Sequence, residues 1–174
     1  MNYIARSTQL GIREMTLEDC EKIVFWRNQE WLREHYIYRE DFTLESEIRY
    51  FREQVMKGKV FHYMICELNN NDRPVGCAVF KKYRPDLREI EYGLFIGEED
   101  TAGKGYGQEV TTLCLNYGFE KFEVDRIYGT IFCDNIPSLI ANIKAGMLPC
   151  EILKDVECSD GEIKDMVLVE ARRQ

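Results

Sequence analysis

The stretch EEDTAGKGYGQEVTTL, residues 98 to 113, places three glycines within five residues (Gly103, Gly105 and Gly107) directly ahead of a helical apolar spacing. Clustered glycines let backbone N–H groups approach a ligand closely, and a helix N-terminus adds positive potential, so these residue types suit an anion. The spacing sorts the candidates. A P-loop ends in Gly-Lys-Ser/Thr, which is missing here. A Rossmann fingerprint needs G-x-G-x-x-G early in a βαβ unit, whereas this G-x-G-x-G follows what reads as an antiparallel meander. What remains is a loop whose successive amides wrap a pyrophosphate, without hardware for nucleotide hydrolysis. His35 and His62 are isolated histidines, read as surface or core fillers, and no His/Cys/Asp constellation has metal-ligand spacing, so no metal is expected.

Composition narrows the function classes. A chain of 174 residues, 45% of them hydrophobic, with no Pro/Gly/Ser-rich linker, reads as one domain over 1–174. The longest apolar runs are strand-sized and the N-terminus has no secretory h-region, so a soluble, cytoplasmic protein is expected. Seven cysteines, scattered singly with no CxxC pair, read as reduced core residues. A formal charge of −8 and the lack of a Lys/Arg stripe argue against nucleic acid.

The elements that must position the loop follow from periodicity. LGIREM (10–15) alternates as a first strand, and Thr16 with Asp19 forms a capping box ahead of a helical segment running to His35, with a break near Asn28. Thr43 caps a second helix, with Ile48, Phe51 and Val55 on one face and Gly58 as its stop. Strands 60–68 and 74–83 flank the turn formers NNNDRP, and REIEYGLFIG (88–97) extends the meander. In that third strand Ile90, Tyr92 and Leu94 share one face, and Glu89 and Glu91 the other. The helix after the glycines shows Val110, Leu113, Cys114 and Tyr117. A strand (126–133), a helix opened by Pro137 and a hairpin (156–171) turning at Asp160–Gly161 complete the chain. The order strand, helices, three strands, helix, strand, helix, two strands predicts an α/β fold, a mixed sheet flanked by helices.

GLFIGEEDTAGKGYGQEV, followed by LNYGFEKFEVDRIYGTIFCDNIPSLIANIKAGM, resembles the acetyl-CoA core of the GNAT N-acetyltransferases, in the branch of ribosomal-protein, polyamine and amino-sugar enzymes. The resemblance covers roughly residues 9 to 170. It implies an acyl-CoA N-acyltransferase fold and acetyl-CoA as co-substrate. The amides of Lys104, Gly105, Tyr106, Gly107 and Gln108 would hold the pyrophosphate, and the backbone of Leu94, Phe95 and Ile96 would pair with the pantetheine arm like an added strand. Asn135 matches a coenzyme-contacting position, and Ser138 lies one helical turn later. Two departures stand out: Ala102 replaces the Gln or Arg that commonly opens the loop, and Asn142 stands where many members place the Tyr that protonates the leaving thiolate. That proton must then come from another group or from water, with Ser138 as the candidate group.

Acetyl transfer to an amine requires a neutral amine, so a base or water relay must remove the ammonium proton. Glu91, fourteen positions before Gly105, has the spacing of the family's general base, with a structural strand carboxylate as the other reading. In this family the acceptor cleft is built by the first two helices, the loop joining them and the late hairpin. Here that segment offers Trp26, Arg27, Asn28, Trp31, Tyr36 and Tyr38. Aromatics stack on sugar or base faces and Arg27 could meet a phosphate; Glu30, Glu34, Glu40 and Asp41 could equally receive a polyamine. The acceptor is expected to be a small molecule such as an amino-sugar nucleotide or a polyamine, with a protein N-terminus, or a non-catalytic acetyl-CoA-binding module, as the alternatives. A homodimer is expected from the sheet edge that the last strands leave.

Overall fold

The computed structural model describes residues 2–173. Eight strands form one mixed sheet, which bears out the expected α/β fold. In chain order these are β1 (Ala5–Arg6), β2 (Leu10–Glu14), β3 (Phe61–Glu67), β4 (Arg73–Arg84), β5 (Glu89–Ile96), β6 (Arg126–Phe132), β7 (Leu148–Glu157) and β8 (Ile163–Arg172). Their order across the sheet is β1-β2-β3-β4-β5-β6-β8-β7, and β5–β6 is the parallel pair. The helices are α1 (Cys20–Arg27), α2 (Glu30–Arg33), α3 (Leu44–Tyr50), α4 (Tyr106–Phe122) and α5 (Ile136–Lys144).

Helices cover both faces of the sheet. Ile90 and Tyr92 of β5 pack with Val110 and Cys114 of α4, while Phe95 packs on the opposite face with Ile23 and Trp26 of α1. The β3–β4 turn places Asn71 and Asp72 at φ of 52° and 57°, a left-handed conformation these side chains tolerate better than most.

Several boundaries differ from the sequence reading. The Thr16 box closes a 3-10 turn, Leu17–Asp19, because Asp19 also binds Arg13 through both carboxylate oxygens at 2.7 Å; α1 begins only at Cys20. Asn28 ends α1 and separates it from α2. Helix α3 runs into a π-helical turn, Phe51–Val55, and β7 starts at Leu148, earlier than expected. Its pairing with β8 shifts register twice. Five cysteines are buried thiols, but Cys133 is half-buried and Cys150 exposed, so the reading of the cysteines as core residues fails at those two.

One topological feature prepares the site. The β5–β6 ladder pairs only Glu89, Ile90 and Glu91 with Arg126, Ile127 and Tyr128. Beyond that point β5 stays paired with β4 as far as Ile96, and β6 with β8 as far as Phe132. The two strands therefore part at their C-terminal ends, leaving an unpaired sheet edge along Gly93–Ile96.

Candidate active site

The glycine loop opens at the parted strand ends. Gly103 and Gly105 adopt φ of +78° and +79°, with nothing within 4 Å of a Cβ built on either, so these glycines serve backbone conformation rather than packing. Gly105 is the N-cap of α4 and no side chain caps this 17-residue helix, so its first-turn N–H groups face outward without an intrahelical acceptor. The Lys104 N–H donates to Thr101 O at 3.3 Å, which leaves Gly105, Tyr106, Gly107 and Gln108 as the freer part of the expected cradle.

Two acidic anchors hold this loop, and neither was singled out from the sequence. Glu67, at the end of β3, accepts from the Lys104 ammonium at 3.0 Å and the Tyr106 hydroxyl at 2.6 Å. The Tyr106 hydrogen bond is the largest influence holding the Glu67 carboxyl below its ordinary range, against the opposing effect of burial. Glu98 accepts from Trp26 Nε1 at 2.8 Å and pairs with Lys22 at 2.5 Å and Arg73 at 2.6 Å. Arg73 also grips Asp100 with both terminal nitrogens. Glu67 is far from the loop in sequence, and no local spacing signals the contact.

Helix α5 closes the other side, with Ala141 Cβ lying 3.4 Å from a Cβ built on Gly107. Asn135 caps this helix, its Oδ1 accepting the Ser138 N–H at 3.2 Å. Asn142 is buried and donates to Ser138 O at 2.8 Å, with Ser138 Oγ at 3.5 Å. Asn135, Ser138 and Asn142 thus form one local group beside the first turn of α4. Leu94, Phe95 and Ile96 lie on the unpaired edge of β5.

Glu91 sits at the fork itself, 7% exposed, on the sheet face opposite Tyr92. Its two oxygens meet Lys81 at 3.1 Å and Lys82 at 2.7 Å. Consecutive strand residues normally point to opposite faces, but a bulge in β4, with Lys82 at φ 50°, turns both lysines toward one carboxylate. Glu91 holds the Lys82 ammonium above its ordinary range, against the opposing effect of partial burial. The Tyr38 and Tyr128 phenols are near enough to act on the same ammonium.

The acceptor-side residues divide by environment. Trp26 has no exposed surface, packs edge-on against Phe95 with centroids 5.8 Å apart, and is a core residue rather than an acceptor contact. Asn28 spends its carboxamide on the chain: Nδ2 donates to Phe42 O and Oδ1 accepts from Phe42 N, both at 2.8 Å, so it staples the loop and has little left for a ligand. Trp31 packs half-buried against the same core cluster. Arg27 lies over the rings of Tyr36 and Phe42, 3.5 and 4.5 Å from their centroids, and Tyr38 is 70% exposed. Arg39 ties this loop to the β7–β8 turn through Asp160 at 2.8 Å and Glu162 at 2.6 Å.

Near Arg27 lie two more ionisable groups, Glu47 and His62, the latter read from the sequence as a surface or core filler. Burial raises Glu47 to about 7, opposed by Arg27, and depresses His62 to about 4, with Arg27 adding to the shift. The two signs are opposite. Because Glu47 is raised, its contribution to stability is complete below its unfolded pKa near 4.5 and is lost as pH rises through about 7. His62 contributes above about 6.5 and loses that contribution as pH falls toward 4. Glu47→Gln should therefore gain on the wild type by on the order of 3 kcal/mol between pH 4 and pH 8. Denaturant melts at the two pH values measure this, and parallel curves would refute the assignment.

The sequence pattern of the acetyltransferase (GNAT) domain family matches residues 9–148. The uncharacterized N-acetyltransferase p20 of Bacillus licheniformis is 23% identical over 165 residues, 92% of this chain and 90% of that one. A spermidine N-acetyltransferase from Vibrio cholerae, solved with CoA and spermine, superposes with a TM-score of 0.85 at 14% identity, covering 95% of this chain and 96% of that one. A ribosomal L7/L12 α-N-protein acetyltransferase in complex with coenzyme A gives a TM-score of 0.86 at 15% identity, with 98% of each chain covered. Among the described residues no helix is long and apolar enough to cross a membrane, and no cluster of His, Cys, Asp and Glu could hold a metal.

Proposed function

The chain belongs to the GNAT acetyltransferase family, and from that premise we propose that it transfers the acetyl group of acetyl-CoA to the primary amine of a small molecule by direct attack on the thioester. The observation that carries this reading is the uncapped, glycine-led N-terminus of α4 lying beside the fork between β5 and β6. The helix end offers outward N–H donors to a pyrophosphate, and the free edge of Leu94–Ile96 offers backbone groups to an extended amide-containing arm. A thioester carried on such an arm would arrive at the fork, where Glu91 stands.

The chemistry then assigns roles. Glu91 takes the ammonium proton, directly or through one water, and the neutral amine attacks the thioester carbonyl. The carboxylate is paired with Lys81 and Lys82, so it must exchange one lysine for the incoming ammonium. Collapse of the tetrahedral adduct expels the coenzyme thiolate. The Asn142 carboxamide has no proton of suitable acidity to give, and the Ser138 hydroxyl beside it is the protein group assigned to that step. Arg27, Tyr36 and Tyr38 remain as acceptor contacts, while Trp26 and Asn28 support them from behind.

Coenzyme A thiol release from acetyl-CoA over a panel of amines tests the reaction. Gly105→Val should raise the acetyl-CoA dissociation constant at least tenfold without unfolding the domain, because a β-branched residue at φ +79° is strained and distorts the loop. Normal coenzyme binding by this variant would show that the cradle is misplaced.

The proposal also places the enzyme in the cytoplasm as a homodimer. Supporting the dimer, Ile136, Ile140 and Ile143 of α5 and Leu148 and Ile152 of edge strand β7 are between 45% and 65% exposed. Light scattering at tens of micromolar should return twice the monomer mass, and a monomer would remove this part.

A further inference from the structure

A group of polar atoms on the acceptor side of the sheet lacks partners. Arg27 Nε, Glu47 Oε1 and His62 Nδ1 are each enclosed by protein without a hydrogen bond. Among the described residues neither Arg27 nor Glu47 makes an ion pair within 4 Å. Buried polar groups are normally satisfied, and Arg27 is near enough to act on both Glu47 and His62, so these three orphans mark one place built for something else. Arg27 itself is held rigidly, stacked with Tyr36 and Phe42, and Tyr36 in turn meets Phe95 edge-on with centroids 6.3 Å apart.

The sheet connects this group to the fork. His62, Val79 and Gly93 are cross-strand neighbours in one row, and the adjacent row on that face is Lys81, Glu91 and Tyr128. Rows two residues apart are separated by about 7 Å. A Cβ built on Gly93 meets only Val79 Cγ1, at 3.6 Å, so the floor between the rows is open. Glu91 stands at one end of this floor, and His62, with Arg27 and Glu47 near it, at the other.

We propose that Arg27, Glu47 and His62 form an anion subsite of the acceptor cleft, so that the amine this enzyme acetylates carries a carboxylate or phosphate group. The inference rests on the acetyl-transfer reading above and adds the substrate class to it. The charge balance favours an anion over a polycation. Arg27 is a fixed cation with no carboxylate partner within 4 Å among the described residues, and burial raises Glu47 to about 7, so that below that pH it is protonated and donates a hydrogen bond instead of repelling an anion. Of the acids that could receive a polyamine, Asp41 is taken by Arg33 at 2.8 Å, and Glu91 at the fork already meets two lysines. Arg27 approaches a carboxylate or phosphate with a planar fork of donors already fixed in place.

The test compares phosphoethanolamine and β-alanine with ethanolamine and spermidine, in wild type, Arg27→Gln and Arg27→Lys. Wild type should show kcat/KM for the anionic amines at least tenfold above that for spermidine. Arg27→Gln should raise KM for the anionic amines by about tenfold to a hundredfold, the value of one charged contact. That loss should exceed the loss for ethanolamine at least tenfold, with acetyl-CoA affinity unchanged and partial rescue by Arg27→Lys. A preference for spermidine, or an equal loss on every amine, would overturn the subsite while leaving acetyl transfer standing. Thermal shift of the coenzyme-bound protein by phosphoethanolamine gives a reading independent of turnover. A shift lost in Arg27→Gln supports the subsite, and no shift in wild type overturns it. Acetyl-CoA binding without transfer to any amine would instead overturn the acetyl-transfer reading.

Discussion

Glu91→Gln is expected to lower kcat/KM at neutral pH by about a hundredfold to ten-thousandfold, the range for a positioned general base, while acetyl-CoA affinity barely changes. The substitution keeps the size of the side chain and its hydrogen bonds but removes its basicity. It also releases two lysines from a carboxylate that is 7% exposed, so structural damage must be separated from lost proton transfer. The pH profile makes the separation. As pH approaches the pKa of the amine, substrate arrives neutral and a variant lacking only the base recovers relative to wild type. A loss that stays flat with pH would assign Glu91 to positioning. Unchanged kcat/KM at pH 7 would make it a strand carboxylate whose work is to neutralise Lys81 and Lys82. Lys82→Met sharpens the distinction: freeing one oxygen of a working base should raise activity or leave it, whereas a purely structural pair should lose stability.

Much of this arrangement was legible in local sequence. Period-two runs placed the meander, the Ile90/Tyr92 face of β5 packs on α4 as alternation required, and the glycine triplet marked the start of α4. The features that depend on distant contacts were not legible. Nothing near residue 67 announces that its carboxylate will hold Lys104 and Tyr106, because that contact forms only when β3 and the loop meet across the sheet. The Lys82 bulge breaks the alternation that makes strands readable, so two consecutive lysines on one acid could not be foreseen. Asn28 illustrates another limit. A polar residue at a helix end suits ligand binding and loop stapling equally, and only the position of Phe42 decides between them.

Trp26 carries the second large effect. Its place was readable in principle, since Cys20, Ile23 and Trp26 recur at the spacing of a buried helical stripe while Phe25 is 56% exposed. Trp26→Ala removes a ring with no solvent exposure that packs against Phe95, so the loss should be about 3–5 kcal/mol, the usual range for a buried aromatic. For a domain of this size that corresponds to a fall in Tm of about 10 °C. Trp26→Phe retains most of the volume and deletes only the 2.8 Å hydrogen bond to Glu98, which keeps Lys22 and Arg73. It should therefore cost much less stability. Because Glu98 leads into the glycine loop, any residual defect in Trp26→Phe should appear as weaker acetyl-CoA binding rather than as a changed acceptor KM. If Trp26→Ala melted like wild type and raised only the KM for the amine, the ring would be an acceptor contact after all, and the core built around α1 and β5 would be wrong at its centre.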